Sequence, residues 1–327
     1  MRRTTYSARW ALSIIPCATQ AVSQLTTLSS KRGLAYLGDT HESDDNLLYS
    51  ANSSLDWYYN WAPNAVAGVS LPFLPLIHGL DDAASSTVMD TIANLPSTST
   101  HLLTFNEPDG TTSSGGSSIS PSDAAQAYIS DILPLRTADT RTWNISHPAT
   151  TGSSSGLTWL QEFNASCWEI APDTGCPTDF VALHWYGDFA GLASWLGTLH
   201  DFYVSNSSAG ATSDDIKFWI TEMALPQEDE DTTVEMLNQS LTYLDGLDYV
   251  AGYAWFGVDR KGGSWDSYTG ENVAVFNGKG ALTDVGALYL GGEEDGFKAG
   301  MTGGVDGVRV PVFATMVVML SVLLNIS

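Results

Sequence analysis

The amino-acid sequence predicts the α/β class and a single (β/α)8 TIM barrel. Three observations support this prediction. Short apolar runs alternate with longer helical or loop segments between residues 33 and 290, and the 327 residues exceed the roughly 250 that such a barrel needs. No glycine-rich phosphate loop follows the first run, although such a loop would favour the rival fold, an open doubly wound sheet. Gly33 and Gly38 flank that run without completing the loop motif.

The predicted strands share three features. Each is short, rich in branched or aromatic side chains, and bounded by Gly, Pro, Asp or Ser. We count eight such runs, at residues 33–38, 55–61, 73–78, 101–106, 144–149, 179–186, 217–221 and 250–256.

The segments between the runs are long enough for crossover helices. The clearest helix start is Ser120, because Pro121 suits the first helical position and Asp123 lies near the positive end of the helix dipole. Apolar residues then recur at helical spacing over 124–135, and a second helical pattern covers 232–244. Strands alternating with helices in this way predict parallel strands with the helices outside.

Both ends of the chain resemble processing signals. Residues 1–23 combine arginines, a short apolar run and small residues, which predicts a secretory signal peptide rather than an unstructured leader. Residues 31–290 form the predicted catalytic domain, and 291–309 a polar, glycine-rich spacer. The hydrophobic tail at 310–327 predicts a GPI attachment signal, with a true transmembrane anchor as the alternative. We expect membrane contact only through that lipid anchor.

The charge and composition limit the partners of the chain. Thirteen basic residues stand against 37 acidic ones, for a formal net charge of −24, and 43% of the residues are apolar. That apolar content is ample for a packed core. Because a chain with this negative charge repels phosphate backbones, we expect no nucleic-acid partner. A neutral polysaccharide is indifferent to this charge. We expect a monomer without a cofactor.

The cysteines fit an exported protein. Cys17 lies in the signal segment, and Cys167 and Cys176 remain to form one disulfide across a small loop, with free thiols as the alternative. No histidine or cysteine with zinc-ligand spacing accompanies them, and we predict no metal site. Five N-x-S/T sequons predict surface glycosylation: Asn52, Asn144, Asn164, Asn206 and Asn238.

Two glutamates end predicted strands. Glu107 follows the fourth strand and Glu222 the seventh. Reactive groups of such barrels lie at the carboxyl ends of the strands, so both side chains can point into one cleft. Glycoside cleavage needs this pair, because one carboxyl protonates the leaving oxygen while the other captures the anomeric carbon. Either glutamate alone would more often be an ordinary solvated residue.

The motifs around these glutamates are more distinctive. They lie at 32–36, 57–61, 73–79, 103–109, 179–187, 220–222 and 253–257, together with the two cysteines. This pattern resembles glycoside hydrolase family 128, in clan A of the glycoside hydrolases, over about residues 31 to 260. The resemblance implies hydrolysis of β-1,3-glucan with retention of configuration, and we expect internal cleavage.

The resemblance also implies residue roles. Glu107 would be the acid/base, Glu222 the nucleophile, and Asn106 would hydrogen-bond the sugar 2-hydroxyl. The sequence departs from the family pattern at His147, at Met223 and in the serine- and glycine-rich loop 110–118. These departures affect the expected chain-length preference more than the expected reaction.

Aromatic and polar side chains at other strand ends predict the sugar-binding groups, because sugar rings present apolar faces and polar hydroxyls. About half of the strand aromatics must face the outer helices, where they form part of the packed core. We select Trp61, His78, His184, Tyr186 and Trp255 for the cleft. His184 would orient a carboxylate or a hydroxyl, with a purely structural histidine as the alternative.

Two other functions remain open. A cell-wall glucan transglycosylase would use the same pair but transfer the glycosyl unit to a sugar instead of water, which yields chains longer than the substrate. A non-hydrolytic glucan-binding or wall-structural protein would bind without forming new reducing ends.

Hydrolysis requires that Glu107 is protonated while Glu222 is ionised. This requirement predicts an activity optimum on the acid side of neutral.

Overall fold

The computed structural model describes residues 28–38, 41–138, 141–205, 208–263 and 266–304. The predicted signal peptide at 1–23, the hydrophobic tail at 310–327 and the sequon at Asn206 lie outside these residues. Among the described helices, none combines the length and the apolar composition that crossing a membrane requires.

Eight parallel strands form the wall of the barrel, and every predicted run overlaps one of them, although β1 begins one residue early and β7 extends past its run. The strands are β1 Arg32–Ala35, β2 Leu55–Tyr59, β3 Leu76–Ile77, β4 His101–Thr104, β5 Asn144–His147, β6 Phe180–Tyr186, β7 Lys217–Ala224 and β8 Val250–Trp255. Their order is β2-β1-β8-β7-β6-β5-β4-β3. A bridge from Tyr58 to Phe73 joins β2 to the segment before β3, where Leu74 N donates to Tyr58 O at 2.9 Å. The predicted (β/α)8 barrel is confirmed.

The helices lie outside the strands. They are α1 Glu42–Leu48, α2 Leu80–Ala83, α3 Ser86–Ala93, α4 Pro121–Ala127, α5 Ser154–Ile170, α6 Phe189–Val204, α7 Glu230–Asp245, α8 Asp266–Thr269 and α9 Asp284–Leu290. Short 3-10 segments cover Thr112–Ser114, Leu133–Thr137, Glu271–Val273 and Glu293–Asp295. The pattern at 232–244 thus belongs to α7.

The helix predicted after Ser120 begins as expected but changes form. The Ser120 side chain accepts a hydrogen bond from Asp123 N and caps α4. A π-helical segment at Tyr128–Ile132 and a 3-10 segment at Leu133–Thr137 replace the remaining α-helical turns. Pro134 explains the change, since it has no N–H to donate and its ring clashes with the carbonyl four residues earlier.

The core has two layers because alternate strand residues face opposite sides of the wall. Inside the barrel lie Trp57, Tyr59, Phe180 and Trp219, whereas the neighbouring Tyr58 packs in the outer layer against the helices. The inner indoles require glycine beside them. A Cβ on Gly33 would lie 2.1 Å from the Trp57 ring, and a Cβ on Gly252 would lie 2.5 Å from Trp219.

The folded domain continues past the predicted boundary at 290. Phe297 is buried, Leu282 N donates to Met301 O at 2.8 Å, and Asn46 Nδ2 donates to Gly303 O at 3.1 Å. Residues 291–304 therefore pack against the barrel and are not part of a free spacer. Several glycines of this segment adopt positive φ in turns, so the glycine-rich composition reflects tight turns.

Candidate active site

Glu107 and Glu222 meet at the carboxyl ends of β4 and β7. Strand β7 extends to Ala224, beyond its predicted end at residue 221, so Glu222 lies within the strand. One carboxylate oxygen of each glutamate and a ring nitrogen of His184 all lie within 4.8 Å of one another. The two glutamates are 9% and 4% exposed respectively, so both are shielded from bulk water. Two carboxylates about 5 Å apart have the spacing that covalent glycoside cleavage uses.

The backbone holds Glu107 in the left-handed region, with φ of 39°. Its N–H donates to Ala149 O at 2.8 Å, and its carbonyl accepts from Gly110 N at 2.8 Å. Gly116 packs so closely that a Cβ there would lie 2.6 Å from the Glu107 carbonyl oxygen. A non-glycine residue in this region costs about 1–3 kcal/mol and persists only where its surroundings fix it. These contacts provide that constraint.

Asp109 ties this turn to the loop after β5. Its Oδ1 accepts a 3.0 Å hydrogen bond from Thr151 N, and its Oδ2 accepts a second from the Thr151 hydroxyl. Because Asp109 is two residues beyond Glu107, the pair fixes where the β4 loop sits over the barrel.

Three donors converge on Glu222. Tyr59 OH donates to Oε1 at 2.9 Å, Trp61 Nε1 donates to the same oxygen at 2.7 Å, and Tyr186 OH donates to Oε2. Burial, followed by the charge of Glu222, raises the pKa of both tyrosines well above the ordinary value. The hydroxyls therefore stay protonated and donate. This arrangement suits an ionised carboxylate.

His184 lies between the two acids. Its Nδ1 is 3.0 Å from Glu107 Oε1 and 3.4 Å from Glu222 Oε2, and the residue is 1% exposed. Burial alone would lower its pKa, but the charge of Glu222 and the hydrogen bond to Glu107 outweigh burial and raise it. The two carboxylates thus favour the protonated form of the ring, and Nδ1 faces both of them. Within the described chain, no other trio of acidic, histidine or cysteine side chains is spaced to share a metal ion.

Asn106 and His78 contact the serine- and glycine-rich loop. Asn106 Nδ2 donates to Gly115 O at 3.1 Å, and His78 Nε2 lies 3.2 Å from the same carbonyl. Asn106 O also accepts from Ser117 N at 2.8 Å. Both predicted site residues therefore hold the loop that covers this side of the cleft, and Asn106 keeps one amide proton for another acceptor.

Trp255 does not line the cleft, so that prediction is wrong. Its side chain is fully buried in the outer layer, and its Nε1 donates to Val273 O at 2.8 Å. Strand alternation explains the error, because Ala254 is the residue of this pair that faces the barrel interior.

Cys167 and Cys176 form a disulfide that joins the end of α5 to the segment before β6. His147 packs beside it, with Nε2 donating to Cys176 O at 2.8 Å and Nδ1 3.0 Å from Tyr203 OH. This departure from the family pattern thus lies in the outer layer, where the His147 ring packs against Tyr128 and Phe163.

A cavity lies on the Trp61 side of the pair, and Trp61 is part of its lining. Its volume is about 380 Å³, and its lining includes Leu37, His41, Phe256 and Lys261. Trp61 packs against Phe256 with ring centroids 5.9 Å apart. The indole that donates to Glu222 therefore also forms one wall of this cavity.

Sequence reasoning missed three residues near the pair. Tyr59 shares strand parity with Trp57 and Trp61, so alternation could have identified it. The contact of Asp109 with Thr151 and that of Tyr268 with Tyr186 depend on how separate loops meet. No local sequence pattern signals either of them.

Comparisons with known proteins place this geometry in a family. Residues 33–289 match the family model described as the glycosyl hydrolase catalytic core. The chain is 30% identical over 275 residues to alkali-sensitive linkage protein 1 of Schizosaccharomyces pombe. That alignment covers 81% of this chain and 45% of the relative, so the chain spans less than half the length of the relative it matches.

Two solved structures have the same architecture. One is a subgroup VI exo-β-1,3-glucanase of glycoside hydrolase family 128 from Aureobasidium namibiae, with a TM-score of 0.65 and 21% identity over 81% of this chain and 98% of that one. The other is a curdlan-specific exo-β-1,3-glucanase of subgroup III from Blastomyces gilchristii, solved with glucose, with a TM-score of 0.60 and 27% identity over 80% of this chain and 97% of that one. Because the family model matches most of the chain, this protein belongs to the glycosyl hydrolase catalytic core family, within glycoside hydrolase family 128.

Proposed function

We propose that this chain is a retaining glycoside hydrolase that cleaves β-1,3-glucan through Glu222 and Glu107. One observation carries the proposal: a carboxylate oxygen of each glutamate lies within 4.8 Å of the other, with three donors aimed at Glu222 and His184 aimed at Glu107. The different partners give the two acids different roles.

In the first step, the Glu222 carboxylate attacks the anomeric carbon while Glu107 gives its proton to the glycosidic oxygen. The C–O bond to the leaving sugar breaks, and the glycone remains as an ester of Glu222. Because Glu107 Oε1 accepts from His184, we assign the transferable proton to Oε2. Tyr59, Trp61 and Tyr186 keep Glu222 in place for the attack.

In the second step, Glu107 acts as a base. It takes a proton from water, the resulting nucleophile attacks the anomeric carbon, and the ester bond to Glu222 breaks. Two displacements at one carbon restore the original configuration. The hydrogen bond from His184 Nδ1 stabilises the charge that Glu107 carries between the steps.

The substrate assignment has independent support. The two structural relatives are β-1,3-glucanases, and the half-buried rings of Trp61 and Tyr186 offer aromatic surfaces for sugar rings. The net charge of −24 places no obstacle to a neutral glucan.

The test uses laminarin, a soluble β-1,3-glucan, with the variants Glu107→Gln and Glu222→Gln. We expect each to lower activity by at least roughly 10²-fold, because Glu107→Gln removes the catalytic acid and base and Glu222→Gln removes the nucleophile. Glu169→Gln is the matched control, because Glu169 is exposed on α5 away from the cleft. Activity near wild type in either test variant would remove that glutamate from the mechanism.

Product analysis separates the two alternatives and the cleavage mode. Products longer than the substrate would indicate transfer to a sugar, and tight binding without new reducing ends would indicate a binding protein. A spread of intermediate sizes at early times would support internal cleavage, whereas a single short product would indicate cleavage from a chain end.

We also infer that the chain is exported. The disulfide between Cys167 and Cys176 supports an oxidising compartment, and the sequons at Asn52 and Asn238 lie at exposed positions. A mass decrease after enzymatic removal of N-glycans would support export. The lipid anchor stays a prediction from residues 310–327, and release of the cell-bound protein by a phosphatidylinositol-specific phospholipase tests it.

A further inference from the structure

Tyr268 on α8 exposes an aromatic ring beside the active site. Five large apolar side chains of the described chain are exposed: Leu37, Leu80, Ile170, Val204 and Tyr268. Tyr268 is 55% exposed, and it contacts Tyr186 edge-on, with ring centroids 5.3 Å apart at 68°. Since Tyr186 donates to Glu222, one aromatic contact links this exposed ring to the nucleophile.

The backbone under this ring is fixed by the loop after β7. Gln227, at a φ of 62°, donates from Nε2 to Tyr268 O at 2.8 Å and from its backbone N to Thr269 O at 2.9 Å. Asn272 Nδ2 adds a third bond between the two loops, to Glu228 O at 2.8 Å. The ring is thus presented from a braced segment while most of the residue remains in water. An exposed aromatic ring held in place beside a cleft offers a face on which a ligand ring can pack.

The two oxygens of Glu222 show on which side of the nucleophile Tyr268 lies. Oε1 accepts from Tyr59 and Trp61, and Trp61 also lines the 380 Å³ cavity. Oε2 accepts from Tyr186 and lies 3.4 Å from His184, which bonds Glu107. Tyr186 therefore lies on the side of Glu222 that faces the acid, and Tyr268 packs against Tyr186.

The acid marks the leaving-group side, because its proton goes to the glycosidic oxygen. Electrostatics agree with this placement: partial burial raises the pKa of the Tyr268 phenol, and the charges of Glu107 and then Glu222 raise it further. The ring is thus close enough to sense both carboxylates.

We propose that Tyr268 is the platform for the leaving sugar ring and, in the second step, for an acceptor sugar that competes with water. This inference rests on the proposed function. The C–H face of a glucosyl ring is apolar, and it packs on the apolar face of the exposed Tyr268 ring. Occupancy of this platform sets how well the leaving group is held and how often transfer replaces hydrolysis.

The test compares two donors. Laminaripentaose places sugar rings on the leaving-group side, whereas laminaribiosyl fluoride has a leaving group without a ring. For Tyr268→Ala, we expect the ratio of kcat/KM for laminaripentaose to that for the fluoride to fall about tenfold, the equivalent of one ring contact. Tyr268→Phe keeps the ring and should keep most of that ratio. Ile170→Ala, which truncates an exposed side chain on α5, is the surface control.

Transfer provides a second readout. With the fluoride as donor and added laminaribiose as acceptor, Tyr268→Ala should give a smaller share of transfer products than wild type. An equal loss on both donors would overturn the proposal, because it would show that Tyr268 merely supports Tyr186 and Glu222. No loss on either donor would also overturn it. A wild-type protein inactive on both donors would instead refute the proposed function.

Discussion

The two ends of strand β4 differ in the direction in which the surroundings shift the pKa of a nearby buried histidine. At the amino end, the His101 ring lies inside the barrel, with centroids 5.1 Å from Phe180 and 5.2 Å from Trp219. Burial there lowers its pKa to about 4. At the carboxyl end, just beyond β4, Glu107 and Glu222 surround His184, whose pKa is raised although it is buried as deeply.

The comparison shows that burial alone does not fix the charge state of a histidine. Burial outweighs the contact with the Thr100 hydroxyl, 2.9 Å from Nδ1, and the charge of Asp179, so His101 stays neutral. Two carboxylates within 3.4 Å of His184 outweigh burial there. The amino end is therefore built for packing, and the carboxyl end maintains charges that a reaction uses.

Removing the charged histidine should have the largest effect on activity. His184→Ala deletes both the hydrogen bond to Glu107 and the cation, and we expect kcat/KM to fall roughly 10²–10³-fold, as on loss of other preorganised donors. His184→Asn keeps a donor near Nδ1 without the charge and should lose less. Initial rates on laminarin measure both variants.

His101→Asn is the control at the opposite end of β4. It should lower the free energy of unfolding while the folded fraction keeps its activity. A similar loss of activity in His101→Asn and His184→Asn would contradict the division between the two ends.

The pH dependence of stability should show opposite signs for the two kinds of histidine. Burial lowers the pKa of His101 and of His147 to about 4, whereas an unfolded histidine titrates near 6.5. Between these values the unfolded state binds more protons, so stability falls as pH falls from 6.5 to 4, by up to about 3 kcal/mol for each residue. The contribution of His184 to stability has the opposite pH dependence. It is fully present below pH 6.5 and is lost as pH rises through the raised pKa of this histidine.

Urea unfolding at pH 7 and pH 4.5 measures this effect. His147→Gln should reduce the difference between the two pH values, because its side chain does not titrate. An unchanged difference would mean that the folded protein accepts a proton at His147 at little cost.

The turn that carries Glu107 gives the next smaller effect. Asp109→Ala removes both hydrogen bonds to Thr151, and we expect a roughly tenfold fall in kcat with little change in KM, because a displaced catalytic group slows the chemical step. Thr151→Val removes only the hydroxyl contact and should lose less. Asp109 also contributes to the raised pKa of His184, so the pH–rate profile should shift in Asp109→Ala. A change confined to KM would argue against a positioning role.

The sequence predicted the parts of this molecule that follow from local patterns. All eight strands overlap the predicted runs, because apolar residues bounded by turn formers mark a buried strand whatever surrounds it. Glu107 and Glu222 were found because strand ends in this fold share one edge. No local signal indicated that β7 runs to Ala224 and so includes Glu222.

The sequence predictions failed at positions where the outcome depends on which face of a strand a residue occupies, or on contacts between distant segments. Trp255 and Ala254 are adjacent in sequence, and only the register of β8 decides which one faces inward. The segment 291–304 was read as a spacer because its glycines suggest flexibility, although Phe297 anchors it in the core. Tyr268 reaches Tyr186 across two loops, a contact that sequence separation hides.

The smallest effect on stability should come from a helix cap that lies at neither end of strand β4. Ser120 accepts from Asp123 N at 3.2 Å at the start of α4, which continues into the π-helical segment at Tyr128–Ile132. Ser120→Ala should lower the free energy of unfolding by about 1 kcal/mol, the usual value of such a cap, and leave laminarin hydrolysis unchanged. A change in activity would mean that the outer helices transmit strain to the carboxyl ends of the strands, and the site could then no longer be treated as a product of the strand ends alone.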